Sequence, residues 1–152
     1  MKKKEWGNAV WYLFHTLADK LKVEYSSEAA DLFKQITKIC NNLPCPDCQQ
    51  HAMETIRRNN RVVVGASKEN LTIFLWKFHN SVNTRSGAPE FSREAVNAKY
   101  KLANTQQIVQ YFINIMSMSD NNPKSMLSSF HRQLYMNEFI TYISANIHKY
   151  NP

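Results

Sequence analysis

Apolar residues recur at three- and four-residue spacing along nearly the whole chain, and only three glycines and five prolines interrupt them in 152 residues. That spacing is the period of a helix with one buried stripe, and a turn-rich β fold needs more punctuation than this chain carries. Trp6, Val10, Leu13, Phe14, Leu17 and Leu21 predict an amphipathic helix over 6–22. Ser26 and Ser27 are N-cap candidates for a second helix carrying Ala30, Phe33, Ile36 and Ile39, which should stop near Asn41–Asn42, ahead of Pro44. Pro46 and Asp47 suit the first turn of a third helix running to about Arg58. Val62–Val64 has strand character, but one strand makes no sheet, so the run reads as a connector.

Ser67 predicts the cap of a fourth helix with Leu71, Phe74, Leu75, Phe78 and Val82 on one stripe. Gly87-Ala88-Pro89 reads as a turn, and Ser92 as the start of a short fifth helix to about Leu102. Beyond Asn104, Ile108, Phe112 and Ile115 predict a further helix, broken at Asn121-Asn122-Pro123. Leu127, Phe130 and Leu134, then Phe139, Ile143 and Ile147, predict one or two more. The expected fold class is all-α: a four-helix bundle plus a short fifth helix over 1–103, with a C-terminal helical extension over 104–152.

At this length a core forms without disulfide staples. The formal net charge of +7 attracts anions, but it is dispersed, with its densest clusters at Lys2–Lys4 and at Arg57, Arg58 and Arg61. Such clusters are ordinarily solvated faces, so nucleic acid is not the expected partner. No apolar run approaches the roughly 20 residues of a membrane span. The lysines at the N-terminus lead into no apolar stretch, so they do not read as a secretory signal. The expected location is cytoplasmic.

The three cysteines, Cys40, Cys45 and Cys48, fall within nine residues, which argues for a site rather than a secreted scaffold. A C-x-x-C pair at a helix start is a redox device. The unpaired amides of the first turn favour the thiolate of the first cysteine, and two intervening residues bring the sulfurs within bridging distance. Thioredoxin-like proteins set this device in a βαβ unit that is missing here. Cys40, Cys45, Cys48 and His51 also read as C-x4-C-x2-C-x2-H, a full tetrahedral zinc set, and a zinc-binding helical module is the alternative. Cys40 lies on the apolar side of the second helix, where a buried free cysteine is the ordinary explanation. His51 shares a helix face with Cys48. A third class, a basic structural or nucleic-acid-associated helical protein, completes the set.

Two further segments weigh on the choice. Trp11 and His15 share one face of the first helix, with Trp6-Gly7 preceding them. Trp76, His79, Asn80 and Asn83 lie along adjoining faces of the fourth helix. Core packing explains the tryptophans. It explains the polar residues poorly, because polar groups in an apolar helix need partners. A planar heteroaromatic ligand with a pyrophosphate would satisfy them all.

With these pieces together, the sequence resembles the Erv/ALR family of FAD-linked sulfhydryl oxidases. The matching segments are Trp6-Gly7…Trp11…His15, Leu43-Pro44-Cys45-Pro46-Asp47-Cys48-Gln49-Gln50-His51, and Trp76-Lys77-Phe78-His79-Asn80-Ser81-Val82-Asn83, in family order and with family-like spacing over about residues 5–103. The resemblance implies a helical bundle holding FAD without a covalent bond. It implies Cys48 as the flavin-proximal sulfur and Cys45 as the outer sulfur that exchanges with substrate. Trp6, Gly7, Trp11 and His15 would line the flavin, with His51 close to the ring. His79, Asn80, Val82 and Asn83 would hold the adenine and ribose, and Arg85 would meet the phosphates. Oxygen would be the final acceptor, giving hydrogen peroxide, and a homodimer would be the usual assembly.

The chain departs from the family in places. Ala88 stands where members often carry a lysine before the Pro-Glu-Phe run, leaving Lys99, Tyr100 or Lys101 as substitutes. No cysteine follows Cys48, so a shuttle C-x-x-C is absent. The chain thus resembles the minimal forms made by large DNA viruses, which hand oxidising equivalents to a separate small thiol or dithiol protein. Residues 105–152 match nothing recognised, and read either as a cap on the bundle or as a dimerisation or docking element.

Overall fold

The computed structural model describes residues 2–118 and 123–152. Among them are eight α-helices: α1 (Lys3–Lys20), α2 (Ala29–Cys40), α3 (Pro46–Arg57), α4 (Arg61–Val64), α5 (Lys68–Ser86), α6 (Arg93–Lys101), α7 (Thr105–Met116) and α8 (Met126–Asn146). The only β pairing among the described residues is an isolated bridge between Leu21 and Tyr150. The all-α class expected from the spacing is what the chain adopts. No described helix is long and apolar enough to cross a membrane.

The long helices α1, α2, α3 and α5 enclose one core. Leu13, Leu17, Ile36, Ile39, Leu71 and Leu75 are all essentially buried there. Helix ends follow local chemistry. Ser67 Oγ accepts from Asn70 N at 3.0 Å to cap α5, and Ser92 Oγ does the same for α6 from Ala95 N. At its other end α5 stops at Gly87, whose φ of 77° only glycine adopts without strain.

Local chemistry differs from expectation at two points. Ser26 and Ser27 do not cap α2. They lie in a 3-10 turn, Val23–Glu28, and α2 begins without a side-chain cap. Ser26 Oγ instead accepts from Lys68 N at 3.0 Å, satisfying an orphan amide of α5 42 residues on. The valine run is neither strand nor loop: Asn60 Oδ1 accepts from Val62 N and Val63 N and closes a single helical turn. Gly65 ends that turn so close to α2 that an added Cβ would lie 2.9 Å from Ala30 Cα. The predicted break at Asn121 and Asn122 lies outside the described residues, and Pro123 opens a 3-10 turn into a single long α8.

The extension packs on the bundle. α7 lies along α1, and its Val109, Phe112 and Met116 join the same apolar cluster as Leu13 and Leu17. α8 adds Tyr135, Met136, Phe139 and Ile143. Tyr135 Oη donates to Gln35 Oε1 at 2.9 Å, pinning α8 to α2. The last residues are tied back as well: Asn151 N donates to Lys20 O at 2.7 Å and Thr105 N to Pro152 O at 3.0 Å. Leu127, Phe130 and Leu134, by contrast, face outward, 53–69% exposed.

Candidate functional site

Cys45 is the N-cap of α3. Its backbone is extended, Pro46 takes the first helical position, and Cys45 Sγ accepts from Cys48 N at 3.2 Å. This is the geometry in which a helix's free amides stabilise sulfur-borne negative charge. Cys45 and Cys48 are disulfide-bonded, with Cα atoms 5.2 Å apart, and both are half-buried. Cys40 is free and buried, and burial pushes its thiol up to about 12, so it stays a neutral, inert thiol at ordinary pH. Among the described residues no three His, Cys, Asp or Glu side chains converge to hold a metal ion. The cysteine–histidine spacing therefore does not become a zinc ligand set.

The disulfide borders a cavity of about 500 Å³, within the range typical of ligand sites. Trp6, Gly7 and Trp11 from α1 line it, as do Cys45, Cys48 and His51, and His79, Val82, Asn83 and Arg85 from α5. Helical spacing explains the convergence: Gly7 and Trp11 are four residues apart, Cys48 and His51 three, and Val82 and Asn83 lie three and four residues beyond His79.

His15, Trp76 and Asn80 are not on that wall. His15 is buried behind it, its Nε2 2.9 Å from His79 Nδ1, and Tyr100 stacks on its ring at 4.6 Å. Trp11 stacks on His79 at 4.1 Å and 4°. Burial, then the neighbouring His79 and Lys99, pulls His15 down to about 3. Burial and Lys99 pull His79 down to about 4. The pair is neutral at neutral pH. Trp76 Nε1 and Asn80 Nδ2 both donate to Phe91 O, at 2.8 and 2.9 Å, and Asn80 Oδ1 accepts from Phe91 N. The polar demand that singled out Asn80 in the sequence is met by the loop carrying Phe91.

Asn83 is different. Its Nδ2 is buried with no partner among the chain's own atoms, and the residue lines the cavity. A Cβ added to Gly7 would meet nothing within 4 Å, so a ring can approach the α1 backbone there. An orphaned amide donor, an open glycine wall and flanking tryptophans fit a flat, hydrogen-bonding cofactor such as FAD.

Basic groups on the wall are Lys3, Lys4 and Arg85. Lys99 is not among them: it lies over the rings of Tyr12 and Tyr100, 4.8 and 5.4 Å from their centroids. The sequence treated Lys3 and Lys4 as a solvated cluster. Their only signal was proximity to Trp6-Gly7. His51 is lowered, first by its burial and then by Arg85.

The chain matches the Erv1 / Alr family over residues 8–101, and it belongs to that family. It is 34% identical over 100 residues to a protein of Invertebrate iridescent virus 3, a match covering 65% of this chain and 68% of the relative. It is 31% identical over 99 residues to one from Oryza sativa subsp. japonica, covering 64% of this chain and only 50% of the relative. A Vaccinia virus (strain Copenhagen) protein is 26% identical over 99 residues, covering 65% of this chain and 98% of the relative. All three are named as FAD-linked sulfhydryl oxidases. No solved structure matches the chain.

Proposed function

We propose that this chain is an FAD-linked thiol oxidase, with Cys45 and Cys48 as its catalytic disulfide. The observation that carries the reading is a disulfide at a helix N-terminus sharing one cavity with Trp6, Trp11, His79 and the unpartnered amide of Asn83.

A substrate thiolate attacks Cys45 Sγ, and the Cys45–Cys48 bond breaks with its electron pair passing to Cys48 Sγ. A second substrate thiolate then attacks the substrate sulfur of the mixed disulfide and expels Cys45 as thiolate. The substrate has lost two electrons and two protons. FAD, when bound, would supply the two-electron acceptor for the reduced Cys45–Cys48 pair, with oxygen as the final acceptor and hydrogen peroxide as the product. The Cys48 amide, donating to Cys45 Sγ, stabilises the Cys45 thiolate as leaving group. His51, one turn on from Cys48 and held toward its neutral form by burial and Arg85, lines the same cavity beside the Cys48 thiolate that the first attack leaves. Trp6, Gly7 and Trp11 would hold the flavin ring. Val82 and Asn83 would hold the adenosine end, joined by His79, whose ring is fixed by His15. Lys3, Lys4 and Arg85 would meet the phosphates.

The finer parts rest on the family. Residues 1–103 form the oxidase unit and 104–152 a helical extension. A small protein dithiol is the donor, the assembly is a homodimer, and the location is cytoplasmic. The test is direct: the purified chain should carry visible flavin absorbance and consume oxygen when given dithiothreitol. A colourless chain that consumes none refutes the reading.

A further inference from the structure

The segment that joins α5 to α6 is exposed, yet one of its residues is held by three hydrogen bonds from α5. Phe91 O accepts from Trp76 Nε1 at 2.8 Å and from Asn80 Nδ2 at 2.9 Å, and Phe91 N donates to Asn80 Oδ1 at 2.9 Å. We propose that Trp76 and Asn80 are positioning residues: through Phe91 they hold the His79 ring in the cavity wall, and so make the chain prefer FAD to FMN. The inference rests on the oxidase reading, in which His79 helps to hold the adenosine end. It gives Trp76 and Asn80 a role at one remove from the ligand.

The clasp does not serve burial of the residue it holds. Phe91 stays 43% exposed, whereas Asn80 is only 9% exposed. Little apolar area is therefore gained by fixing Phe91 where it is. A buried carboxamide that accepts from the N–H and donates to the C=O of one residue fixes the course of that stretch of main chain. Trp76, one turn before Asn80, adds a second donor to the same carbonyl.

What the clasp sets is the Phe91 ring. Its centroid lies 5.8 Å from that of His79, tilted by 58°, within the range of an aromatic pair. His79 is thus bounded by three groups. Trp11 lies parallel to it at 4.1 Å, His15 Nε2 is 2.9 Å from its Nδ1, and Phe91 completes the set. Trp11 and His15 come from α1, so Phe91 supplies the one contact made by the α5–α6 segment. His79 lines the cavity, while Trp76, Asn80 and Phe91 do not. Their influence on a ligand there passes through His79.

A ring held in this way needs no further ordering when a ligand arrives. With the clasp released, His79 is in place only part of the time, and apparent affinity falls by that fraction. FMN ends at its phosphate and has no adenosine, so the loss falls on FAD alone.

The test titrates the flavin-depleted full chain, its fold checked by circular dichroism, with FAD and with FMN, followed by flavin fluorescence. The parent should bind FAD more tightly than FMN. Asn80→Ala removes two of the three bonds and should weaken FAD about tenfold, and Trp76→Phe, which removes one N–H and keeps an aromatic ring, about threefold. Both should leave FMN binding at the parent's value. Phe91→Ala should reproduce the Asn80→Ala loss, and the double variant should lose no more than either alone, since the two act in series. Trp76→Phe keeps the proposal open to test if Asn80→Ala does not fold. Equal weakening of FAD and FMN makes the clasp a general support of the fold and overturns the proposal. Unchanged FAD affinity in both clasp variants overturns it too, as do additive losses in the double variant. A parent that binds both flavins equally overturns the proposal and leaves the flavin reading standing. A parent that binds neither removes the oxidase reading and the proposal with it.

Discussion

Replacing Phe112 with alanine should destabilise the entire protein, flavin site included, although Phe112 lies beyond the segment shared with the family. Phe112 is fully buried and meets Phe139 of α8 edge-on, with ring centroids 5.2 Å apart at 75°. α7 packs along α1, the helix that carries Trp6, Gly7 and Trp11. A buried phenylalanine cut to alanine costs about 3–5 kcal/mol, including the aromatic pairing. For a chain of this size each kcal/mol lowers the midpoint by about 2–4 °C, so the expected drop is about 6–20 °C. The assay is a thermal melt followed at once by far-ultraviolet circular dichroism and by flavin release. Both signals should shift together in one transition. Leu134→Ala, on the outer face of α8, is the control and should stay within about 0.5 kcal/mol of the parent. Two separate transitions, with flavin release unmoved, would refute the argument that extension and bundle share one core.

Other expectations follow from single contacts. Cys45→Ser should abolish turnover yet leave the helix capped, since serine ranks among the best N-cap residues, whereas Cys45→Ala should lose about 0.5–2 kcal/mol as well; urea titration of the two variants separates the effects. Asn83→Leu should hold or raise the stability of the flavin-free protein, because it removes a buried donor without a partner, while flavin retention on gel filtration falls. His15 and His79 have folded pKa values of about 3 and 4, below the ordinary 6.5. The unfolded chain therefore binds protons first, and stability should fall as pH drops from about 6.5 toward 4. The slope approaches about 1.4 kcal/mol per pH unit for buried His15 and is shallower for half-buried His79. His15→Asn should flatten the profile in urea melts at stepped pH.

The parts of this fold that depend on nearby residues were readable in the sequence. Ser67, Ser92 and the Cys45-Pro46 start each act within one helical turn, and the stripes of α1, α2 and α5 follow one period. What escaped depends on distant partners. Ser26 looked like a cap for its own helix, but serves an amide of α5. Trp76 and Asn80 looked like ligand contacts because they are polar or aromatic in a helix, and no periodicity announces a carbonyl at Phe91. The resemblance implies His15 along the flavin, and its buried place behind the cavity wall, with Nε2 2.9 Å from His79 Nδ1, depends on a partner 64 residues away. In α8 the apolar residues occupy two faces, which blurs the stripe and hides which face is buried. The resemblance to the family gathered the remaining site residues because its three segments carry side chains at helical intervals, and the cavity brings those same side chains together.

The most direct test of the central claim is anaerobic titration of the purified chain with dithiothreitol, watched through the visible flavin band. The parent should be yellow and bleach as the dithiol is added, then recover its colour when air is admitted. Cys48→Ser should be equally yellow and fail to bleach, because electrons can no longer pass from the disulfide to the flavin. A parent that carries flavin but does not bleach, or a Cys48→Ser variant that bleaches as readily as the parent, would contradict electron transfer through Cys45 and Cys48.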